Sequence, residues 1–160
     1  MDTLPKLLRS TARIRFQDCD PYNHLNNANY IDYFMNARED QVLEAYDIDV
    51  YKRARETGLA WLVVSNQLAY FQPANLMEVV TITSKIIVIG PRSMVIEFQM
   101  LNSKTEQVKA IMWTKLANVD IRSGKSTPHS EELMTRLSDV VVQVDEQSFE
   151  ARATATRKSS

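Results

Sequence analysis

Apolar and polar positions alternate near the start of the chain. In "STARIRFQD", Ala12, Ile14 and Phe16 are set against Arg13 and Arg15, the period-2 pattern of a strand with one buried face. The turn-prone run that follows, "DCDPYNHLNN", predicts a loop. From Asn27 the period lengthens. Ala28, Ile31, Phe34, Met35, Arg38 and Val42 recur at helical spacing, and Tyr30, Tyr33 and Ala37 widen the stripe. The pattern predicts a helix buried over much of its surface and fading near Tyr46, with Asn26 or Asn27 as N-cap. "DIDVYKRARETG" predicts a short amphipathic helix that ends at Gly58.

From there to about residue 120 the runs are strand-like: "LAWLVVSNQLAYF", "EVVTITSKIIVI", "SMVIEFQMLN" and "VKAIMWTKLANVDI". They are punctuated by "QPAN", "GPR", "NSKTEQ" and "RSGKS". The third run sets Met94, Ile96, Phe98 and Met100 against Val95, Glu97 and Gln99. "TPHSEELMTRLSDV" predicts a terminal helix capped by Thr127, with Pro128 at its first position. The remainder, "DEQSFEARATATRKSS", has no period and predicts a weakly ordered tail. The expected organisation is one domain over 1–142 and a tail over 143–160. A strand, a long helix and then a run of strands give an α+β architecture, in which an antiparallel sheet must curl around the helix to bury so wide a stripe.

Composition narrows the function classes. The chain has 160 residues, 44% hydrophobic and 24% charged, the balance of an ordinary globular protein. Lys+Arg 19 against Asp+Glu 20 leaves a net charge of -1, so no electrostatic footprint for nucleic acid or a membrane is expected. The single cysteine, Cys19, excludes an internal disulfide and a cysteine-rich metal site. "MDTLPKLLRS" is not a signal peptide and no run has the length of a membrane span, so a reducing, cytoplasmic home is expected. With only Gly58, Gly90 and Gly124, glycine-rich phosphate loops are absent.

The chemistry concentrates in "FQDCDPYNHLNNANYIDYFMNAR". This run holds a D-x-D, one of the two histidines, an asparagine pair, two spaced tyrosines and A-R at the positions that mark the 4-hydroxybenzoyl-CoA thioesterase family. Together with the element order, it makes the chain resemble that family of hotdog-fold acyl-CoA hydrolases from about Ala12 to Asp120. The resemblance implies a sheet wrapped around a long central helix and an acyl-CoA substrate. It also implies homodimers or homotetramers with active sites at the subunit interface. It assigns the catalytic carboxylate to Asp20 and the amide that binds the thioester oxygen to Asn27. In "PRSMVIEF", Arg92 and Ser93 match residues placed to contact coenzyme A, and Tyr30 is expected in the pocket wall.

Thioester hydrolysis suits these residue types. The leaving thiol has a pKa of roughly 8.5 and departs as thiolate with little need of a general acid. What remains is a nucleophile or a base, which one carboxylate supplies, and an oxyanion site, which a helix N-terminus supplies. No metal or cofactor is required. Without the resemblance, Asp20 before Pro21 reads first as a turn initiator, and the resemblance reverses that preference; Asp18 reads as a loop-fixing residue. His24 either polarises the substrate or orients a water, or it simply fixes the loop. Cys19 is not expected to act as a nucleophile.

The chain departs from the family pattern where Asn23 replaces a glycine, which asparagine tolerates at positive φ. It departs again where Met35 and Asn36 precede A-R in place of a glutamate, which leaves Asp20 as the carboxylate. The competing readings are a hotdog protein that binds acyl-CoA or acyl carrier protein without hydrolysis, a 3-hydroxyacyl dehydratase, and a purely structural domain.

Overall fold

The computed structural model describes residues 3–160. Strand β1 (Leu8–Arg13) ends sooner than the alternation suggests. The Asp18 amide bonds back to the Arg15 carbonyl, and that of Cys19 to Phe16, which turns the chain into a single 3-10 turn at Phe16–Asp18. Phe16 is therefore 81% exposed, while Ile14 is buried as expected.

The central helix starts as a 3-10 turn (Asn27–Asn29) and continues as α1 (Tyr30–Tyr46). Asn26 caps it, its side chain accepting from the Ala28 amide at 2.9 Å. Helix α2 (Val50–Thr57) is capped by Asp49 and stopped by Gly58, whose φ of 72° closes the last turn on the Ala54 carbonyl.

Strands β2 (Leu59–Tyr70), β3 (Val79–Ile89), β4 (Ser93–Asn102) and β5 (Val108–Asp120) join β1 in one antiparallel sheet. Their order is β1-β3-β4-β5-β2, and a short β6 (Lys125–Ser126) pairs with β5. Register aligns Ile82 with Met100 and Ala110, and Ser84 with Phe98 and Met112, so one buried face meets α1. Phe34 of α1 packs on Phe98 at 5.4 Å between ring centroids. Register shifts after Val63, Ile86 and Met100 add twist, which lets the sheet curl round the helix. Among the described residues no helix is long and apolar enough to cross a membrane.

Both C-terminal expectations need correction. The terminal helix α3 spans Glu131–Ser138 and is capped by Ser130. Thr127 and Pro128 do not start it, because the Thr127 amide and carbonyl are bonded instead to the backbone and side chain of buried Asn118. The tail is not weakly ordered. Phe149–Ser159 forms helix α4, whose N-cap Ser148 accepts from the Ala151 amide.

What orders α4 is the far side of the sheet. Glu97 points away from α1 yet is 1% exposed, because Arg152 of α4 covers it with two hydrogen bonds of 2.8 and 2.9 Å. The Trp113 indole donates to the same carboxylate at 2.9 Å, and Phe149 packs edge-on against Trp113. Burial alone would raise the Glu97 pKa, but the Arg152, Trp113 and Lys85 contacts outweigh it and hold the carboxyl below its ordinary range. Arg152→Ala strands a buried carboxylate and is expected to cost about 3 kcal/mol in urea unfolding at pH 7. Because the native pKa is depressed, Glu97's contribution is present above its unfolded pKa of roughly 4.3 and is lost as pH falls below it. The gap between wild type and Arg152→Ala should therefore narrow in acid.

Candidate active site

The loop before α1 uses its two aspartates differently. The Asp18 carboxylate accepts the Tyr33 hydroxyl at 2.6 Å and the Asn29 amide at 3.3 Å, and its carbonyl accepts the Asn26 amide. Tyr33 in turn accepts the Arg15 amide at 3.0 Å. Asp18 thus ties the loop to the first turn of α1, as expected of a loop-fixing residue. Burial first, and then the bond to Asp18, push the Tyr33 phenol up to about 12.

Asp20 serves the turn with one oxygen only. Its Oδ1 accepts the Tyr22 and His24 amides at 2.8 and 3.1 Å, while its own amide donates to the His24 carbonyl. Its Oδ2 takes no hydrogen bond among the described residues. Asn23 has a φ of 62°, the left-handed conformation anticipated for a residue standing in a glycine's place.

Asp20 lines a concavity of about 210 Å³ with His24, Asn27, Tyr30, Tyr70 and Phe71. The Asn27 N–H, at the start of the helix, has no acceptor among the described residues. The His24 ring likewise makes no side-chain hydrogen bond among them, although its backbone is held in a bridge with Asn75. Tyr30 is 2% exposed, accepts the Ala74 amide and stacks edge-on against Tyr70 at 5.0 Å, so it is wall. The Cys19 thiol donates to the Arg15 carbonyl. Burial, followed by the Asp20 and Asp18 charges, pushes that thiol up, which keeps it protonated.

Two expected residues do not join this concavity within one chain. Arg92 lies in the turn between β3 and β4 and donates to the Ser126 carbonyl at 2.7 Å, and Ser93 opens β4 opposite Ala117. One unforeseen residue does join it. Tyr70, at the end of β2, donates to the Asn27 carbonyl at 2.8 Å and steadies the helix start. Nothing in the strand pattern of "LAWLVVSNQLAYF" distinguishes that tyrosine.

The second histidine, His129, is buried away from the loop. Its Nε2 accepts the Trp61 indole N–H at 3.1 Å, so its Nδ1 carries the proton toward the Gly90 carbonyl. Among the described residues no group of His, Cys, Asp and Glu is placed to hold a metal ion.

A single antiparallel sheet curled around one buried helix, with a loop carboxylate beside that helix's free amide, is the hotdog architecture of thioester hydrolases. The chain belongs to the thioesterase-like superfamily, which matches residues 14–137. It is 25% identical over 134 residues to the long-chain acyl-CoA thioesterase FadM of Escherichia coli (strain K12), a match covering 84% of this chain and 99% of that protein. Among solved structures, YbaW, a probable thioesterase from Escherichia coli, superposes with a TM-score of 0.72 at 24% identity, over 84% of this chain and 99% of that one. SAV2348 from Staphylococcus aureus, solved in complex with CoA, superposes with a TM-score of 0.78 at 12% identity, over 92% of this chain and 94% of that one. The fold and the thioesterase class expected from the sequence are both borne out.

Tyr33→Phe deletes the bonds to Asp18 and from Arg15 and should cost about 1–2 kcal/mol in denaturant unfolding near neutral pH. Because the native phenol pKa is raised, its contribution is complete below the unfolded value of roughly 10 and is lost as pH climbs through the native value of about 12. Stability of the wild type should therefore fall more steeply over that alkaline interval than stability of Tyr33→Phe.

Proposed function

We propose that the chain hydrolyses acyl-CoA thioesters to the free acid and coenzyme A at the Asp20 concavity. The observation that carries this reading is the pairing of two unsatisfied groups in one small space. They are the Asp20 Oδ2 and the Asn27 N–H, neither with a partner among the described residues. In this reading the thioester oxygen lies against the Asn27 amide, where the partial positive charge of the helix start favours the developing oxyanion.

Asp20 then acts in one of two ways. It attacks the carbonyl carbon itself, giving a mixed anhydride that water opens, or it takes a proton from an attacking water. In either case the C–S bond breaks and coenzyme A leaves as thiolate. His24, with a free ring on the same wall, orients the water or the thioester. Tyr70 is a positioning residue, because its hydroxyl fixes the Asn27 carbonyl and hence the peptide beside the oxyanion site.

The assembly in this reading is a homodimer or a higher homo-oligomer with the thioester between copies. Support comes from β2, which lies at the sheet edge and exposes Leu62, Val63 and Val64. Arg92 and Ser93 then meet the coenzyme through assembly, since the concavity of one chain does not include them. A reducing cytoplasm, in which Cys19 stays a thiol, is the setting. The name of the Escherichia coli relative makes a long-chain acyl-CoA the first substrate to assay.

Asp20→Asn is expected to abolish thiol release from acyl-CoA, with kcat down at least about a thousandfold, while Oδ1 still holds the turn. Free thiol detection over a panel of chain lengths, beside circular dichroism of the variant, checks this. Wild-type turnover in the variant overturns the assignment. Tyr70→Phe should lower kcat about tenfold with KM little changed, the split expected of a group that steadies the oxyanion site.

A further inference from the structure

A second and larger cavity lies away from the Asp20 loop. It is a chamber of about 260 Å³ between the C-terminal half of α1, α2 and the inner face of the sheet, and it shares no wall residue with the Asp20 concavity. The fully buried Phe34 and Tyr30 stand on α1 toward the Asp20 end. Most of the wall is apolar, including Met35, Val42, Met94, Ile96 and Leu116. Its rim reaches solvent at Tyr51, which is 60% exposed.

Two arginines interrupt that apolar wall. Arg53 is held rigidly by neutral groups: one nitrogen donates to the Asn118 Oδ1 at 2.7 Å, and the guanidinium stacks 3.9 Å over the Trp61 ring. Its other terminal nitrogen, Nη1, is buried with no hydrogen-bond partner. Asn118 and Trp61 are themselves locked, by the Thr127 carbonyl and by His129. Arg38 donates to the Ser84 hydroxyl at 2.9 Å. Among the described residues neither arginine lies within salt-bridge distance of a carboxylate. The carboxylate on the wall, Glu39, is occupied by the Tyr51 hydroxyl, which donates toward both its oxygens at 2.8 Å.

A buried guanidinium nitrogen without an acceptor, such as Arg53 Nη1, is costly, the more so with no carboxylate at hand. Burial pushes the Arg38 pKa down to about 10, with the nearby Tyr46 phenol acting in the opposite sense. That value still leaves it charged at neutral pH. An anion that accepts from Arg53 Nη1 would satisfy it, and a planar guanidinium fork suits a carboxylate. The chamber has about the volume of nine waters at ~30 Å³ each, room for a chain of roughly ten heavy atoms and too little for a nucleotide.

We propose that this chamber is a binding site for a free medium-chain carboxylate, with the carboxyl group held by Arg53 and the aliphatic chain lying on the Met35, Val42 and Leu116 wall. The site is distinct from the thioester concavity and does not rest on the role proposed for Asp20. Its ligand is of the class that thioester hydrolysis releases, so product can occupy the protein without blocking Asp20.

Calorimetric titration of the full-length protein with octanoate, and with 1-octanol as its neutral twin, tests this. Saturable 1:1 binding of octanoate is expected, at least about tenfold tighter than octanol, the least that a charge-assisted hydrogen bond contributes. Arg53→Gln should weaken octanoate at least about tenfold and leave octanol unchanged, while Asp20→Asn binds octanoate as the wild type does. Circular dichroism of each variant accompanies the titration. Arg53 is partly exposed on a short surface helix, so Arg53→Gln is expected to fold, and the octanoate–octanol comparison on the wild type carries the test without it. Equal affinity for octanoate and octanol, octanoate binding indifferent to Arg53→Gln, or no saturable binding at all overturns the proposal. So does a rise in KM for octanoyl-CoA in Arg53→Gln without octanoate binding to the wild type, which would make the chamber an acyl-chain subsite instead.

Discussion

The structure depends on the burial of one helix inside a curled sheet. Tyr30 and Phe34 are almost wholly removed from solvent, and fully burying such a side chain contributes about 1.5–3 kcal/mol. A helix satisfies its own backbone everywhere except at its ends. The first amides of this one cannot be sunk in the core without an acceptor, so they must emerge where polar groups can reach them. The loop of Asp18, Asp20 and the asparagines is placed there for that reason. Asn26 takes the Ala28 amide, the Tyr70 hydroxyl meets the Asn27 carbonyl, and the Asn27 N–H is left over. The leftover amide and the neighbouring carboxylate are thus consequences of how the core is packed.

Structural and chemical readings of Asp20 are compatible. A carboxylate has two oxygens, and here Oδ1 closes the turn on two backbone amides while Oδ2 remains free. Fixing one oxygen aims the other, which is the preorganisation that acyl transfer needs. Asp18, only two positions away, has both oxygens engaged by Asn29 and Tyr33 at the start of the central helix and therefore nothing to offer a substrate. Partner geometry, not residue type, separates the two roles.

Charge is handled differently on the two faces of the sheet. On the outer face Glu97 is enclosed by Arg152, Trp113 and Lys85, and that closed network is what orders α4. On the inner face Arg38 and Arg53 are held by hydroxyl, amide and aromatic groups, none of which neutralises them. A network that ends in compensation stabilises a fold. One that ends in an unpartnered donor beside a cavity marks a place for a ligand.

What the sequence alone determined is local. The wide stripe of α1, the Asn26 cap, the stop at Gly58, the alternation in β4 and the neighbourhood of Asp20 with Asn27 all depend on residues a few positions apart, where backbone geometry leaves little choice. The local period puts Phe16 in the core and the last residues in a loose tail, because neither the turn at Arg15 nor the face that receives α4 is written in it. The tertiary structure decided the rest. It placed β2 beside β5 at the edge, brought Tyr70 to Asn27 across 43 positions, Arg152 to Glu97 across 55, and Asn118 to Arg53 across 65. Such pairs form only when sheet order and curl bring distant strands together. Hydrophobic period determines which face a residue takes, but not which neighbour it will meet there.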